Sequence, residues 1–186
     1  MRLGVMCSGN GTNFENILRY PQQQNEVVLM IHNKKKCGAA KRAEKFGIPH
    51  CYVSHKEEDK MIELFKAWRV DLIVLAGYMR IIKDPDAFPC PIINVHPSLL
   101  PKYKGLHAVE QALESGDQET GCTVHYVNEE LDGGDIIEQS RVPICPDDTV
   151  ETLQHRIQRA EYRLLPIVIN NLAHEQTETR RLAVQY

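Results

Sequence analysis

The sequence predicts an α/β protein with an open, mostly parallel twisted sheet and helices on both faces. Short apolar segments alternate with longer helical patterns through the first half of the 186 residues, and this alternation is typical of right-handed βαβ units. Two longer apolar segments follow each other in the second half and predict an antiparallel addition to the sheet. Because 42% of the residues are hydrophobic, the chain can bury a core without disulfides or metal. We therefore expect one domain over residues 1–186.

The first half contains four expected strands and three expected helices. Each strand is a short apolar run, and each helix shows a helical pattern of apolar residues. In chain order, the sequence predicts a strand at 3–7, a helix at 12–19, a strand at 26–32, a helix at 38–46, a strand at 50–53, a helix at 56–68 and a strand at 72–76.

The second half opens with a buried strand at 92–95, after which the pattern changes. Pro97, Pro101 and Gly105 interrupt the chain and predict a loop before a short helix at 107–115. The connection between the two strands that follow is too long for a tight hairpin turn. These strands are expected at 122–127 and 136–142.

A final amphipathic helix is expected to begin at Asp148. The carboxylate of Asp148 can cap this helix, and Glu151 three residues later would complete a capping box. We expect the helix to run to about Leu172 and to be kinked or interrupted by Pro166. The end of the chain, 182–186, could add a strand or fray.

Charge and cysteine content exclude several classes of function. The formal net charge of −3 comes without the concentrated basic face that nucleic-acid binders carry. Six cysteines occur singly, without the close Cys/His spacing of a zinc site, which predicts reduced thiols. No signal-peptide core is present at the N-terminus, and no segment approaches the ~18 apolar residues of a membrane span. We expect a cytoplasmic protein without nucleic-acid, membrane or metal partners.

The segment Ser-Gly-Asn-Gly-Thr-Asn at 8–13 lies where the first strand meets the first helix. At this place an open parallel sheet exposes backbone N–H groups and a helix N-terminus to an anion. The glycines allow close approach of the backbone, and Thr12 and Asn13 add side-chain donors. The segment therefore predicts a phosphate site. The alternative is an ordinary glycine-rich turn.

A nucleotide cofactor does not fit the same region. The G-x-G-x-x-G fingerprint needs a small residue where this chain has Phe14, and an acidic residue where the second strand ends in Ile31, His32 and Asn33. The lysine of a triphosphate-binding loop is also missing. What remains is a single phosphate on a small substrate.

Asn94 and His96 are two polar residues at the end of an apolar strand. Residues i and i+2 of a strand point the same way, so both side chains face the crevice beyond its carboxyl end, where open α/β sheets bind ligands. Pro97 and Pro101 stiffen the loop that follows. The pair is a candidate for catalysis. The alternative is a structural histidine at the end of a strand.

An acidic loop, Glu-Glu-Leu-Asp-Gly-Gly-Asp at 129–135, separates the last two strands. By composition it is a solvated turn. Chemistry that requires an aspartate beside His96 would need one of its carboxylates to fold back across the crevice. Spacing leaves both Asp132 and Asp135 possible.

Four segments together resemble the glycinamide ribonucleotide formyltransferases, a folate-dependent family of purine synthesis. They are SGNGTN, LAGYMRI, INVHPSLLPKYKGLHA and GCTVHYVNEELDGGDII, and the resemblance extends from residue 2 to about residue 172. It implies a Rossmann-like fold and transfer of the formyl group of 10-formyltetrahydrofolate, a co-substrate, to the amine of glycinamide ribonucleotide. It also implies a phosphate-binding N-terminal half, a folate-binding C-terminal half, and action on small molecules as a monomer or homodimer.

The resemblance also assigns roles to individual residues. It implies that the catalytic group is Asn94, His96 and Asp132, which favours Asp132 over Asp135. Residues implied to bind the ribonucleotide are Gly11, Thr12 and Asn13 at its phosphate, and Gln158 and Glu161 on one face of the last helix. Residues implied to line the folate pocket are Met79, Arg80, Ile81, Ile82, Asn94, Val127, Asn128, Glu129, Glu130, Leu131 and Asp132.

Formyl transfer to an amine passes through a tetrahedral intermediate, which sets the chemistry expected of these residues. Asn94 would donate to the formyl oxygen, and a protonated His96 would place positive charge beside the oxyanion. Asp132 would favour the charged histidine and relay the amine proton through a water. No covalent enzyme intermediate is needed.

Rival functions stay open on sequence alone. Methionyl-tRNA formyltransferases and formyltetrahydrofolate deformylases resemble the chain but carry an extra domain, for which we expect no room in 186 residues. A catalytically inactive folate-binding protein is the rival of another class. The chain departs from familiar bacterial relatives in a connection two residues shorter between Arg80 and Asn94, and in a shorter C-terminal tail. Residues 56–66 match too loosely to assign a contact to the folate glutamate tail.

Overall fold

The computed structural model describes residues 1–21 and 25–183. A seven-stranded mixed sheet forms its centre, in the order β3-β2-β1-β4-β5-β6-β7. The first five strands pair in parallel, whereas β6 and β7 are antiparallel to their neighbours. The predicted fold class is therefore confirmed. The elements are β1 Arg2–Cys7, α1 Thr12–Arg19, β2 Glu26–His32, α2 Gly38–Phe46, β3 His50–Tyr52, α3 Glu58–Ala67, β4 Leu72–Leu75, a short 3-10 helix Pro85–Ala87, β5 Ile92–His96, α4 Ala108–Glu114, β6 Glu119–Tyr126, β7 Ile136–Pro143 and α5 Val150–Ala183.

The strand order reverses between β1 and β4, because β2 and β3 extend the sheet on one side of β1 and β4 to β7 extend it on the other. Such a reversal opens a crevice at the carboxyl ends of the parallel strands. Ser8 and Gly77 follow the two strands at this point, and the Ser8 N–H donates to the Gly77 carbonyl at 3.0 Å. This bond joins the two segments that follow β1 and β4.

Two apolar clusters cover the two faces of the sheet. Alternate residues of β1 and β4 belong to different clusters: Val5 and Val74 face one side, and Met6 and Ile73 the other. The first cluster includes buried residues of α1, α2, α4 and α5. The second includes residues of α3, among them the fully buried Phe65. The strands are buried on both faces, as a parallel sheet requires.

Helix α5 begins two residues later than the sequence predicts. Thr149 precedes it, and its hydroxyl accepts from the Thr152 N–H at 3.2 Å while the Thr152 hydroxyl accepts from the Thr149 N–H at 2.9 Å. This reciprocal pair is equivalent to a capping box. The predicted Asp148–Glu151 cap was therefore wrong. Arg156 binds the Asp148 carboxylate through two nitrogens, each at 2.8 Å. Asp148 therefore forms an ion pair with Arg156.

Helix α5 also continues through Pro166 to Ala183, so the predicted end near Leu172 and an interruption at Pro166 were wrong. Proline lacks the N–H that would bond the carbonyl four residues earlier, which belongs to Tyr162. The amide of Asn16, on α1, donates to that carbonyl instead. The helix tolerates Pro166 because a neighbouring helix supplies the missing donor. Of the predicted strand at 182–186, residues 182 and 183 are helical, and 184–186 lie outside the described residues.

Candidate active site

The glycine-rich loop at 8–13 connects β1 to α1 at the edge of the crevice. Gly11 caps α1 with φ 73°, in the left-handed region that favours glycine, and a Cβ there would lie 2.7 Å from the Cβ of Ala39. The first bond of the helix joins the Glu15 N–H to the Gly11 carbonyl at 2.9 Å. The N–H groups before Glu15 have no partner inside the helix, and no side chain caps it. These donors, with the exposed Thr12 hydroxyl, suit an anion.

Contacts to α2 hold this loop in place. The Gly9 carbonyl accepts from the Ala39 N–H at 3.1 Å, and the Asn10 carbonyl accepts from Arg42 Nε at 2.6 Å. Arg42 also forms an ion pair with Glu15. The backbone of the loop is therefore fixed independently of any ligand, as a preformed phosphate site requires.

The predicted ribonucleotide residues Asn13 and Glu161 are in direct contact. Asn13 Nδ2 donates to Glu161 Oε2 at 3.0 Å, and Glu161 is only 7% exposed. Burial raises the pKa of Glu161 to about 7, although the hydrogen bond from Asn13 opposes this shift. Gln158 lies one turn earlier on α5 and is half-buried. The last helix thus meets the end of the glycine-rich loop through a carboxyl group without a cationic partner among the described ion pairs.

The catalytic candidates Asn94, His96 and Asp132 come together at the carboxyl end of β5. His96 Nδ1 lies 3.4 Å from Asp132 Oδ2, and His96 Nε2 lies 2.8 Å from the Tyr103 carbonyl oxygen. A carbonyl only accepts, so Nε2 carries a proton. Nδ1 is then the ring nitrogen that faces the Asp132 carboxylate. His96 is 5% exposed, which strengthens its electrostatic interactions.

Asp132 is the loop aspartate that reaches His96. Its backbone has φ 48°, an unusual value for a residue with a side chain, and its Oδ2 accepts from the Gly105 N–H at 2.8 Å. Asp135 is exposed, and its backbone carbonyl accepts from the Tyr126 N–H at 2.9 Å. The geometry thus places Asp132 beside the histidine and Asp135 in the sheet-forming part of the loop.

His125 is a residue of this cluster that the sequence did not single out. It lies opposite Asn94 in the β5–β6 ladder, is 2% exposed, and its Nδ1 is 2.8 Å from the Tyr126 carbonyl. Burial lowers the pKa of His125, which keeps its ring neutral with the proton on Nδ1. Its Nε2 can then accept from Asn94 Nδ2 at 3.3 Å. This contact orients the Asn94 amide and leaves its second N–H free for a ligand.

A signal for His125 was present in the sequence. The predicted strand at 122–127 contains it, and that strand follows the one that carries Asn94. What spacing cannot supply is the register between the two strands, which decides which residue faces Asn94.

The predicted folate residues fall into two groups. Met79, Ile81 and Leu131 are 63%, 68% and 50% exposed, which is unusual for apolar side chains. Ile82 is 5% exposed and belongs to the second apolar cluster, and the half-buried Val127 packs against that cluster. Arg80, Asn128, Glu129 and Glu130 are exposed. The exposed apolar side chains, rather than Ile82, are free to contact a ligand.

The described residues offer neither a metal-binding group nor a membrane-spanning helix. In the described part of the chain, His, Cys, Asp and Glu residues form no group of three or more that could hold a metal ion. Over residues 1–21 and 25–183, no helix is long and apolar enough to cross a bilayer.

Known proteins match this chain over most of its length. The family described as formyl transferase matches residues 1–169. Phosphoribosylglycinamide formyltransferase of Haemophilus influenzae is 39% identical over 180 residues, which are 90% of this chain and 85% of that protein. The trifunctional purine biosynthetic protein adenosine-3 of Drosophila melanogaster is 41% identical over 190 residues, which are 92% of this chain but 14% of that protein. This chain thus spans about a seventh of the length of the trifunctional relative.

Solved structures agree with these matches. Phosphoribosylglycinamide formyltransferase from Anaplasma phagocytophilum superposes with a TM-score of 0.90 at 37% identity, covering 94% of this chain and 88% of that one. Glycinamide ribonucleotide transformylase 1 from Symbiobacterium toebii gives a TM-score of 0.87 at 38% identity, with the same coverage. Sequence and fold together show that the chain belongs to the formyl transferase family.

Proposed function

We propose that the protein transfers the formyl group of 10-formyltetrahydrofolate to the amine of glycinamide ribonucleotide, a step of purine synthesis. The observation that carries this proposal is the contact of His96 with Asp132 at the carboxyl end of β5, at the same edge of the sheet as the loop 8–13 that follows β1. A formyl transferase of this kind needs an anion site for a phosphorylated acceptor and an oxyanion site for the formyl group. The names of the relatives from Haemophilus influenzae and Anaplasma phagocytophilum support the same reaction.

The proposed reaction requires two proton movements and no enzyme nucleophile. The amine nitrogen attacks the formyl carbon, a new C–N bond forms, and the carbonyl oxygen becomes an oxyanion. The free N–H of Asn94 and the charged ring of His96 stabilise that oxyanion. The bond from the formyl carbon to N10 of the folate then breaks. The proton lost by the amine passes, through Asp132 and a water, to the departing nitrogen.

We further propose that the two halves of the domain divide the substrates. In the N-terminal half, Gly11, Thr12 and Asn13 would bind the ribonucleotide phosphate, and Gln158 and Glu161 would reach it from α5. In the C-terminal half, the exposed Met79, Ile81 and Leu131 offer apolar surface to the folate ring. Polar groups of the folate ring would then bond to the backbone near Arg80 and to the loop 127–132, whose outer residues Asn128, Glu129 and Glu130 are exposed.

Location and assembly are part of the proposal. We propose action in the cytoplasm on small molecules, as a monomer or homodimer, without nucleic-acid or membrane partners. The free cysteines of the chain and its net charge of −3 support this placement. Sedimentation analysis of the purified protein, with and without a DNA duplex, tests assembly and partners together.

One assay separates this function from its rivals. The protein is given 10-formyltetrahydrofolate with glycinamide ribonucleotide, with charged initiator tRNA, or with water alone, and loss of the formyl donor is followed. We expect turnover only with the ribonucleotide. Turnover with tRNA or water would replace the proposed acceptor, and binding of folate without any turnover would indicate an inactive folate-binding protein.

A further inference from the structure

Tyr103 holds an unusual position beside the proposed catalytic histidine. Its backbone carbonyl is the 2.8 Å partner of His96 Nε2, and its φ of 56° lies in the left-handed region, where a residue with a side chain is strained. Such a conformation persists only when surrounding contacts hold it.

Asp117 contacts the side chain of Tyr103 directly. Its Oδ2 accepts from the Tyr103 hydroxyl at 2.5 Å and from Lys102 Nζ at 2.6 Å. The hydrogen bond from Lys102 holds the pKa of Asp117 below its usual range, so the carboxylate stays ionised as an acceptor. Asp117 lies between α4 and β6, outside the loop it binds.

The loop borders an open space on this side. A cavity of about 320 Å³ lies against the loop and is lined by Leu100, Tyr103, Asp117 and Thr120, among other residues. Side chains that border such a space lack neighbours on one side. At the edge of this space, the hydroxyl bond to Asp117 restrains the Tyr103 side chain, while the Ser98 hydroxyl restrains the preceding carbonyl of Lys102.

The same loop also contacts the second catalytic candidate. Gly105, two residues after Tyr103, donates its N–H to Asp132 Oδ2 at 2.8 Å. A movement of Tyr103 would thus displace a partner of His96 and a partner of Asp132 together. Errors of about 1 Å in such an arrangement can reduce a rate by roughly a hundredfold.

We propose that Asp117 and Tyr103 form a clamp that sets the tautomer and orientation of His96, and so act as positioning residues in formyl transfer. The clamp acts through the Tyr103 carbonyl, which requires a proton on His96 Nε2 and turns Nδ1 toward Asp132. This inference rests on the proposed function for its kinetic part. Its effect on the His96 ring does not depend on the identity of the substrate.

The kinetic test compares Tyr103→Phe, Asp117→Ala and the double variant in the formylation assay. We expect each single variant to reduce kcat by about tenfold or more, with KM for both substrates within about twofold. The double variant should lose no more than either single one, because both remove the same contact. Asp117→Asn keeps an acceptor oxygen for the tyrosine hydroxyl and should recover most of the activity.

The matched control is Glu119→Gln. Glu119 forms an exposed ion pair with Arg141 beside the same cavity, and this variant should keep the wild-type kcat. Thermal unfolding of each variant separates loss of folding from loss of position. Unchanged kcat in Tyr103→Phe, or losses that multiply in the double variant, would overturn the clamp.

The second test is independent of turnover. Nitrogen-15 NMR of labelled histidine, with His96 assigned from a His96→Asn spectrum, reports the tautomer of the neutral ring. We expect the Nε2-protonated form in the wild type and a larger Nδ1-protonated fraction in Tyr103→Phe. An identical His96 spectrum in the two proteins would refute the clamp. If the wild type instead lacks formylation activity but Tyr103→Phe shifts the tautomer, the proposed function fails and the clamp stands.

Discussion

Replacement of Glu161 by glutamine tests the buried carboxyl group where α5 meets Asn13, at the end of the glycine-rich loop. Burial raises the pKa of Glu161 from 4.5 to about 7. Folded protein therefore holds more protons than unfolded protein between these two values, and its stability falls as the pH rises through the interval. The loss is complete by about pH 8, one unit above the folded pKa. Glutamine preserves an oxygen for Asn13 and removes the titration.

The magnitude follows from the two pKa values. A difference of about 2.5 pKa units, at roughly 1.4 kcal/mol each, makes ionised Glu161 cost about 3 kcal/mol of stability in full. Between about pH 5.5 and about pH 8, the stability of the wild type relative to Glu161→Gln should fall by about 2 kcal/mol. Asn13 on α1 does not titrate, and burial raises the pKa of Cys122 on β6 to about 12. Neither neighbour adds a transition in this range.

Urea unfolding followed by the fluorescence of Trp68, the single tryptophan of the chain, measures this difference at each pH. Glu151→Gln, at an exposed position of the same helix, is the matched control and should parallel the wild type. A gap between wild type and Glu161→Gln that stays constant within about 0.5 kcal/mol across the range would refute the reasoning.

Three further predictions concern the site and the helix that borders it. His96→Ala and Asp132→Asn should each reduce kcat far more than ribonucleotide affinity, as steady-state kinetics and calorimetry would show, because both are proposed to act on the transition state. Gly11→Ala should destabilise the fold by about 1–3 kcal/mol in urea unfolding, since its φ is 73° and Ala39 fills the space for a Cβ. Asn16→Ala should cost about 1–3 kcal/mol in the same assay, because it leaves a helix carbonyl without a donor.

Each of these predictions has its own control. Near-normal turnover in either catalytic variant would remove that residue from the proposed mechanism. Gly9→Ala should leave stability unchanged, since no protein atom lies within 4 Å of the added Cβ. In a Pro166→Ala background the helix regains its own N–H for the Tyr162 carbonyl. Asn16→Ala should then cost little, and an equal cost in both backgrounds would contradict the proposed pairing.

Sequence periodicity was sufficient for the sheet and most of its helices, because burial on two faces leaves a strong local pattern. It failed at the start of α5, where Asp148 and Thr149 are both good caps. The choice between them depends on Arg156, which binds Asp148 through its guanidinium. Its failure at Pro166 reflects the Asn16 donor on another helix, which no local pattern reveals.

The sequence predicted some residues of the candidate site and missed others, because some contacts depend on distant parts of the chain. The shared face of Asn94 and His96 follows from strand alternation, and the position of the loop 8–13 at the sheet edge follows from its place after β1. His125 depends on antiparallel register, and the Tyr103 carbonyl depends on a left-handed backbone at a tyrosine, which sequence does not favour. Contacts made by backbone atoms of loops are therefore the part of the site that sequence reasoning reaches last.

The bond from Asn16 to the Tyr162 carbonyl has a consequence for evolution. Pro166 leaves the Tyr162 carbonyl without its helical donor, and the Asn16 amide bonds to that carbonyl instead. This bond fixes the position of α5 along α1. Glu161 precedes Tyr162, so the same bond fixes the distance between the Glu161 carboxyl group and Asn13. Lineages that lose Pro166 are free to lose Asn16, whereas those that keep the proline must keep a donor. The two positions should therefore change together.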